Sequence, residues 1–242
     1  MSFVELKICT IDQLLLETRK LEDSENSIFR RVSDREHKLM PSIGRTRHSS
    51  VKKGALSAEE ECRALRRFRD QVRPHVGLTM ENDLEWLLLG QHHGLPTRLL
   101  DWTRSPLVAA HFAVKKIEGR VTLNGKNVVR QSSIDGVIYA VKAPPEVGPS
   151  DRETPFEITV VKMIDPPHIS ERITRQVGVL TIHPEPLTTW EPDGTLYVIP
   201  KNNKFDMKKE LDRLGINEAS LFPGVDATAR YLQWQLKWNR LR

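Results

Sequence analysis

Apolar positions recur at helical spacing through much of the first half of the chain and then give way to alternation. FVELKICT (residues 3–10) alternates well enough for a strand, and IDQLLLETRKLE after it carries Ile and Leu at helical intervals. The polar turn DSENS leads into Ile28-Phe29 and Val32, a short apolar run that reads as a central strand. KLMPSIGR is expected to continue extended, because the residue before a proline avoids the helical region. Ser57 and Glu60 form an S-x-x-E capping signature ahead of a helix from about Ala58 to Val72, stopped by Pro74. A second helix covers NDLEWLLLGQHHG, with Asn82 or Asp83 near its start and Gly94 as its stop. PTRLLDWT is short and β-prone. SPLVAAHFAVKK is again helical, with Ser105 as cap, Pro106 at the first helical position and lysines at the end.

Beyond residue 120 the pattern changes. VTLNGKNVVR holds an Asn124-Gly125 hairpin signal, and GVIYAVK (136–142), FEITVV (156–161), VGVLTIHP (177–184) and GTLYVIP (194–200) read as strands. APPE, DPPH and HPEP punctuate them. FDMKKELDRLGI is a helix ending at Gly215, and TARYLQWQLKWNRLR is another. Helices lie mainly in the first half and at the C-terminus, with no regular βαβ alternation. The expectation is an α+β fold, one domain over 1–242 with a mixed or antiparallel sheet.

Composition narrows this picture little. At 38% hydrophobic and 29% charged residues, the 242-residue chain has enough apolar side chains for a sizeable core. No run approaches the length of a membrane span, and MSFVELKICT lacks a basic region followed by an apolar run. A cytoplasmic protein without membrane contact is therefore expected. Cys9 and Cys62 are far apart, which fits a reducing compartment and two buried thiols. The net charge of +5 owes much to RTRHSSVKKG and RALRRFRDQVR. Arginines 63, 66, 67, 69 and 73 spread around a helix, so a solvated helix and a nucleic-acid contact both remain open readings.

Candidate chemistry centres on GQHHGLPTRLLDWT (90–103). His92 and His93 are adjacent and point in different directions on a helix or a strand, so one metal ion rarely uses both. Together with Asp101 and His111 they match no metal template, and no metal is expected. G-x-S-x-G, the phosphate loop and the dinucleotide fingerprint are all missing from the sequence. What stands out is polar residues where strands run: Arg30, Thr97, Arg98, Gln176. Such residues are costly to bury unless paired, and a polar ligand is one reason to keep them. The alternative for Arg98 is simple neutralisation by Asp101.

GQHHGLPTRLLDWTRSPLVAAHFAV resembles the central signature of the FRG-domain family, Q-H-x-G-x-P-T-R-L-L-D-W-T followed by a helix of small residues. IFRRVSDREHKLMPSIGR is similar to its F-R-G and K-L-x-P-S-x-x-R segment, ERITRQVGVLTIHP to its Q-x-G-x-F-T segment, and LGINEASLFPGVD to its L-G-I-x-x-x-x-L-F-P motif. These stretches cover about residues 28–226, in the family's order. Arg31 stands where the family has the glycine of F-R-G, and Leu180 where it has Phe. An arginine at that position would fill or reshape a pocket that a glycine leaves open.

The order of motifs is also similar to the ADP-ribosyltransferase fold, in which an Arg or His on an early strand holds NAD. There a later strand with Ser, Thr or Tyr leads into a small-residue helix, and a late strand carries Glu or Gln near the reactive ribose. The resemblance implies that Arg30 contacts a phosphate or ribose of NAD, and that Trp102 or Tyr139 stacks on nicotinamide. Gln176, or Glu171 before it, would orient the ribose hydroxyl or the incoming nucleophile. Gln91, His92, Thr97, Arg98 and Asp101 are the expected pocket wall. The readings are then a NAD-dependent ADP-ribosyltransferase-like enzyme, as a toxin or phage-defence effector modifying protein or nucleic acid; a non-catalytic nucleotide-binding or sensing module; and a hydrolase or nuclease using His92, His93 or Asp101.

Overall fold

The alternating runs pair into one seven-stranded sheet in the computed structural model, which describes residues 3–21, 24–32, 38–45, 58–75, 77, 80–115, 120–123, 126–129, 134–166 and 175–238. The strands are β1 (Val4–Lys7), β2 (Ser27–Val32), β3 (Leu99–Thr103), β6 (Gly136–Lys142), β7 (Lys162–Ile164), β8 (Gly178–Ile182) and β9 (Gly194–Ile199), in the order β1-β9-β6-β2-β3-β8-β7. β1 runs parallel to β9 and every other neighbouring pair is antiparallel, so the sheet is mixed. β4 (Arg120–Leu123) and β5 (Lys126–Val129) form a separate antiparallel pair. Asn124 and Gly125, the expected turn between them, lie outside the described residues, as does Ser57. The helices are α1 (Ile11–Arg19), α2 (Ser42–Arg45), α3 (Ala58–Val72), α4 (Asp83–His92), α5 (Pro106–Ala113), α6 (Pro149–Glu153), α7 (Lys204–Arg213), α8 (Glu218–Leu221) and α9 (Val225–Lys237). The fold is α+β. Among the described residues no helix is long and apolar enough to cross a membrane.

Side chains alternate between the two faces of the sheet. On one face Phe29, Ile138, Ala140, Tyr197 and Ile199 are buried with Ile11 and Leu14 of α1, the alanines of α5, and Met207 and Leu211 of α7. Further along the same face Leu99, Leu180 and Ile182 pack with Leu65 of α3 and with Leu84, Leu87 and Leu88 of α4. The opposite face buries Ile28, Leu100, Trp102, Val137, Tyr139, Val141 and Val179, together with Leu39 and the partly buried Phe3 and Trp190. Helices thus cover one face in two groups, and α4 and α5 border the gap between those groups.

Helix starts follow the side chains that cap them. Thr10, Asn82 and Ser105 accept from the backbone N–H groups of Gln13, Glu85 and Val108 at the starts of α1, α4 and α5. Elsewhere the chain departs from expectation. KLMPSIGR does not stay extended, since α2 begins one residue after Pro41. The proline restricts Met40 before it and leaves Ser42 onward free to turn. Gly44 in that helix lies so close to the 186 backbone that a Cβ there would fall 2.3 Å from the Pro186 carbonyl oxygen. FEITVV is not a strand either. Ile158 is buried against the α4 group while Val160 is 53% exposed, and the edge that β8 offers is taken by Lys162–Ile164. Strand propensity counts for little without a partner edge. Both cysteines are half-buried and free.

Candidate functional site

The stretch after α4 is a closed set of local bonds. Gly94, at φ +88°, ends the helix, and its N–H and that of Leu95 return to the carbonyls of Gln91 (3.1 Å) and Gly90 (2.8 Å). Pro96 leads into Thr97, which is fully buried. The Thr97 N–H donates to Ser42 Oγ (3.0 Å), which anchors this turn to α2. Thr97 Oγ1 donates to Gln91 Oε1 (2.7 Å) and accepts from the Leu99 N–H (3.2 Å). With its oxygen held there, the Gln91 amide points its Nε2 at the Asp101 carboxylate, 3.3 and 3.2 Å from the two oxygens.

Arg98 turns the other way. Its Nε and Nη2 donate to Glu61 Oε2 at 3.0 and 2.9 Å, and its backbone N–H donates to Glu61 Oε1 at 2.9 Å. Both side chains are almost wholly buried, and the ring of Phe156 lies 4.7 Å from the guanidinium carbon. The alternative pairing of Arg98 with Asp101 does not form: Glu61 takes the Arg98 guanidinium, and the Gln91 amide takes the Asp101 carboxylate. Arg98 braces α3 against the sheet.

β2 and β3 share one registered pair, Phe29 with Thr103. Beyond it the strands separate, and the guanidinium of Arg30 occupies the split, donating from Nη1 to the Asp101 carbonyl. Over the split, between α4 and α5, lies a groove of about 330 Å³. β2 contributes Phe29, Arg30 and Arg31; α4 contributes Leu88, Gln91 and His92; β3 contributes Asp101, Trp102 and Thr103. Val108, Ala109 and Phe112 of α5 form the apolar wall, and Gln176 with the start of β8 closes one end. Burial lowers the Arg30 pKa to about 10, with Asp101 opposing the shift and Arg45 and Arg31 adding to it, so the group stays charged at neutral pH. The Arg31 pKa is also lowered by burial.

Thr103 ties the two ends of the site together. Its Oγ1 donates to the Gln176 carbonyl (2.7 Å) and accepts from the Ser105 N–H (3.0 Å), while the Arg104 N–H donates to the Val177 carbonyl (3.0 Å). The Gln176 side chain donates from Nε2 to the Leu221 carbonyl at 3.2 Å. Below the groove, Trp102 Nε1 donates to Thr181 Oγ1 (2.9 Å), and that hydroxyl lies 2.8 Å from His183 Nε2. Burial, with Arg30 and Arg98 adding to it, holds the His183 pKa at about 3. The imidazole is therefore neutral at physiological pH.

Of the residues singled out in the sequence, Arg30, Gln91, His92, Asp101, Trp102 and Gln176 line this one groove. Thr97 and Arg98 stand behind it as supports. Tyr139 lies on the opposite sheet face, edge-on to Phe3 at 4.9 Å, with its hydroxyl pKa raised by burial. Glu171 lies outside the described residues. His93 is exposed at the end of α4, its ring edge-on to His92. Among the described residues no three His, Cys, Asp or Glu side chains are grouped to hold a metal ion. Sequence reasoning missed Glu61 and His183. Glu61 carried a signal: it stands one turn before Leu65 on the inward stripe of α3, where a carboxylate needs a buried partner.

A family model described as FRG domain matches residues 25–120, a stretch that runs from the start of β2 past α5 and so contains most of the groove. Neither the curated proteins nor the solved structures compared with the chain gave a match.

Proposed function

We propose, from the match of residues 25–120 to the FRG-domain family model, that the groove binds NAD and that the chain is an ADP-ribosyltransferase-like enzyme. The observation that carries the reading is the convergence of Arg30, Asp101 and Gln176 on one groove at the split between β2 and β3. These residues come from an early strand, from the strand before a small-residue helix, and from the turn that leads into a late strand. That is the order in which the ADP-ribosyltransferase fold, as the motifs resemble it, brings its residues to NAD.

The lining fits such a ligand in chemical terms. Two guanidiniums suit a diphosphate, and Phe112 with Val108 and Leu180 offers an apolar wall for a flat ring. Departure of nicotinamide breaks a glycosidic C–N bond and leaves positive charge on the ribose. A carboxylate fixed nearby stabilises that charge. Among the described lining residues the carboxylate is Asp101, and the Gln91 amide holds it in place. Gln176 is positioned to orient a hydroxyl and has no charge to offer. A non-catalytic nucleotide-binding module is the second reading, favoured by that amide and by its bond to the Leu221 carbonyl.

The test is incubation with radiolabelled NAD and a whole-cell extract, followed by separation of protein from nucleic acid. Transfer of label by the wild type is expected, reduced about 100-fold or more in Asp101→Asn, which keeps the contact to Gln91, and lost in Arg30→Ala. Folded protein that binds NAD without consuming it would establish the second reading instead.

A further inference from the structure

Neighbouring residues of a strand point to opposite faces, so Arg30 and Arg31 should not meet one ligand. They line the same groove because β2 and β3 part beyond the Phe29–Thr103 pair and expose both sides of β2. The two side chains nevertheless sit in unlike settings. Arg30 sits half-buried in the split, and its Nη1 donates to the Asp101 carbonyl. Arg31 lies on the helix-covered side with Phe29, and its Nε is buried with no hydrogen-bond partner among the described residues. The Asp101 carboxylate takes the Gln91 amide, and among the described residues it forms no ion pair with Arg31. A buried guanidinium N–H without an acceptor is costly, and among the described lining residues two guanidiniums stand against one carboxylate.

We propose that Arg31 is the anion-binding residue of the groove, that the group it takes is a phosphate of a nucleoside-diphosphate ligand, and that Arg30 is the brace that keeps β2 and β3 apart. This rests on the reading of the groove as a nucleotide site and assigns its phosphate contact to a different residue. A planar guanidinium fork matches two phosphate oxygens, and a phosphate placed there supplies the acceptor that Nε lacks. The long side chain at this position then adds a contact to the groove instead of blocking it.

Titration calorimetry at low salt with inorganic pyrophosphate, ADP-ribose and adenosine tests the assignment. Arg31→Gln keeps the stem and a planar polar head without the charge. It is expected to weaken pyrophosphate and ADP-ribose about 10- to 100-fold and to leave adenosine unchanged. Arg31→Lys, with charge but no fork, recovers part of the loss. Without ligand, Arg31→Gln should melt at or above the wild-type temperature, because the variant removes a buried N–H that has no partner among the described residues. Equal affinity of wild type and Arg31→Gln for ADP-ribose, or no binding of either phosphate compound by folded wild type, overturns the proposal. Phosphate binding through Arg31 without any transfer from NAD would sink the transferase reading and leave this one standing. Transfer from NAD with ADP-ribose affinity unchanged in Arg31→Gln would do the reverse.

Discussion

Val177 shows how the groove shapes single residues. Its φ is +46°, a region that β-branched side chains avoid, and its side chain is 47% exposed. The conformation is imposed from the neighbouring strand: Thr103 Oγ1 claims the Gln176 carbonyl and the Arg104 N–H claims that of Val177, so both peptide groups must face the end of β3. The strain has no packing to offset it. Val177→Asn, which tolerates a positive φ, should therefore raise stability by about 1 kcal/mol, measured as a shift of the denaturant midpoint. An unchanged midpoint would mean that the valine is accommodated without strain.

At the level of elements, α3 depends on one pair. Arg63, Arg66 and Arg67 face solvent, while Glu61 and Leu65, one turn apart, turn inward. Glu61 closes three hydrogen bonds with Arg98 at the start of β3. Truncating one partner leaves the other charge buried alone. Glu61→Ala is expected to cost about 3–5 kcal/mol in equilibrium unfolding, against less than about 0.5 kcal/mol for Arg66→Ala. Similar losses in the two variants would contradict the bracing role. Because Arg98 directly follows Thr97, Glu61→Ala should also loosen the Thr97–Gln91–Asp101 chain behind the groove.

The whole molecule is joined on the α5 side of the sheet by Glu218. Its carboxylate receives Lys115 Nζ (3.3 Å) and Arg230 Nε (3.1 Å), with His111 Nε2 at 3.8 Å, and so links α5, α8 and α9. The nearby His111 ring, then the charge of Lys115 and the hydrogen bonds from Arg230 and Lys115, outweigh burial and lower the Glu218 pKa to about 2. A carboxylate whose pKa falls on folding stabilises the protein above its unfolded value and loses that contribution as pH drops toward the folded one. Glu218→Gln should therefore destabilise by about 2 kcal/mol at pH 7, with the gap from wild type closing between about pH 4.5 and 2. Denaturant midpoints at a series of pH values read this directly. A gap independent of pH would assign the loss to packing.

Much of this organisation was legible in the sequence because it rests on near neighbours. The caps at Asn82 and Ser105, the stop at Gly94 and the alternation of β6, β8 and β9 follow from rules that act within a few residues, and the structure places those elements where the pattern does. The motif order likewise picked out Arg30, Gln91, His92, Asp101, Trp102 and Gln176 of the groove, but not its apolar wall, and it counted Thr97, Arg98 and Tyr139 among the contacts, which they are not. Tertiary structure alone decided which partner each residue meets and which face it joins. Arg98 turned to Glu61, 37 positions away, and not to the nearby Asp101, because the fold packs α3 against the start of β3 and buries the Glu61 carboxylate there. FEITVV stayed out of the sheet because the edge of β8 was filled by the residues after it, and Tyr139 went to the far face because its register pairs it with Arg30 across β2 and β6. The groove itself exists because two strands part after one shared pair, a property of the assembled sheet that no local pattern encodes.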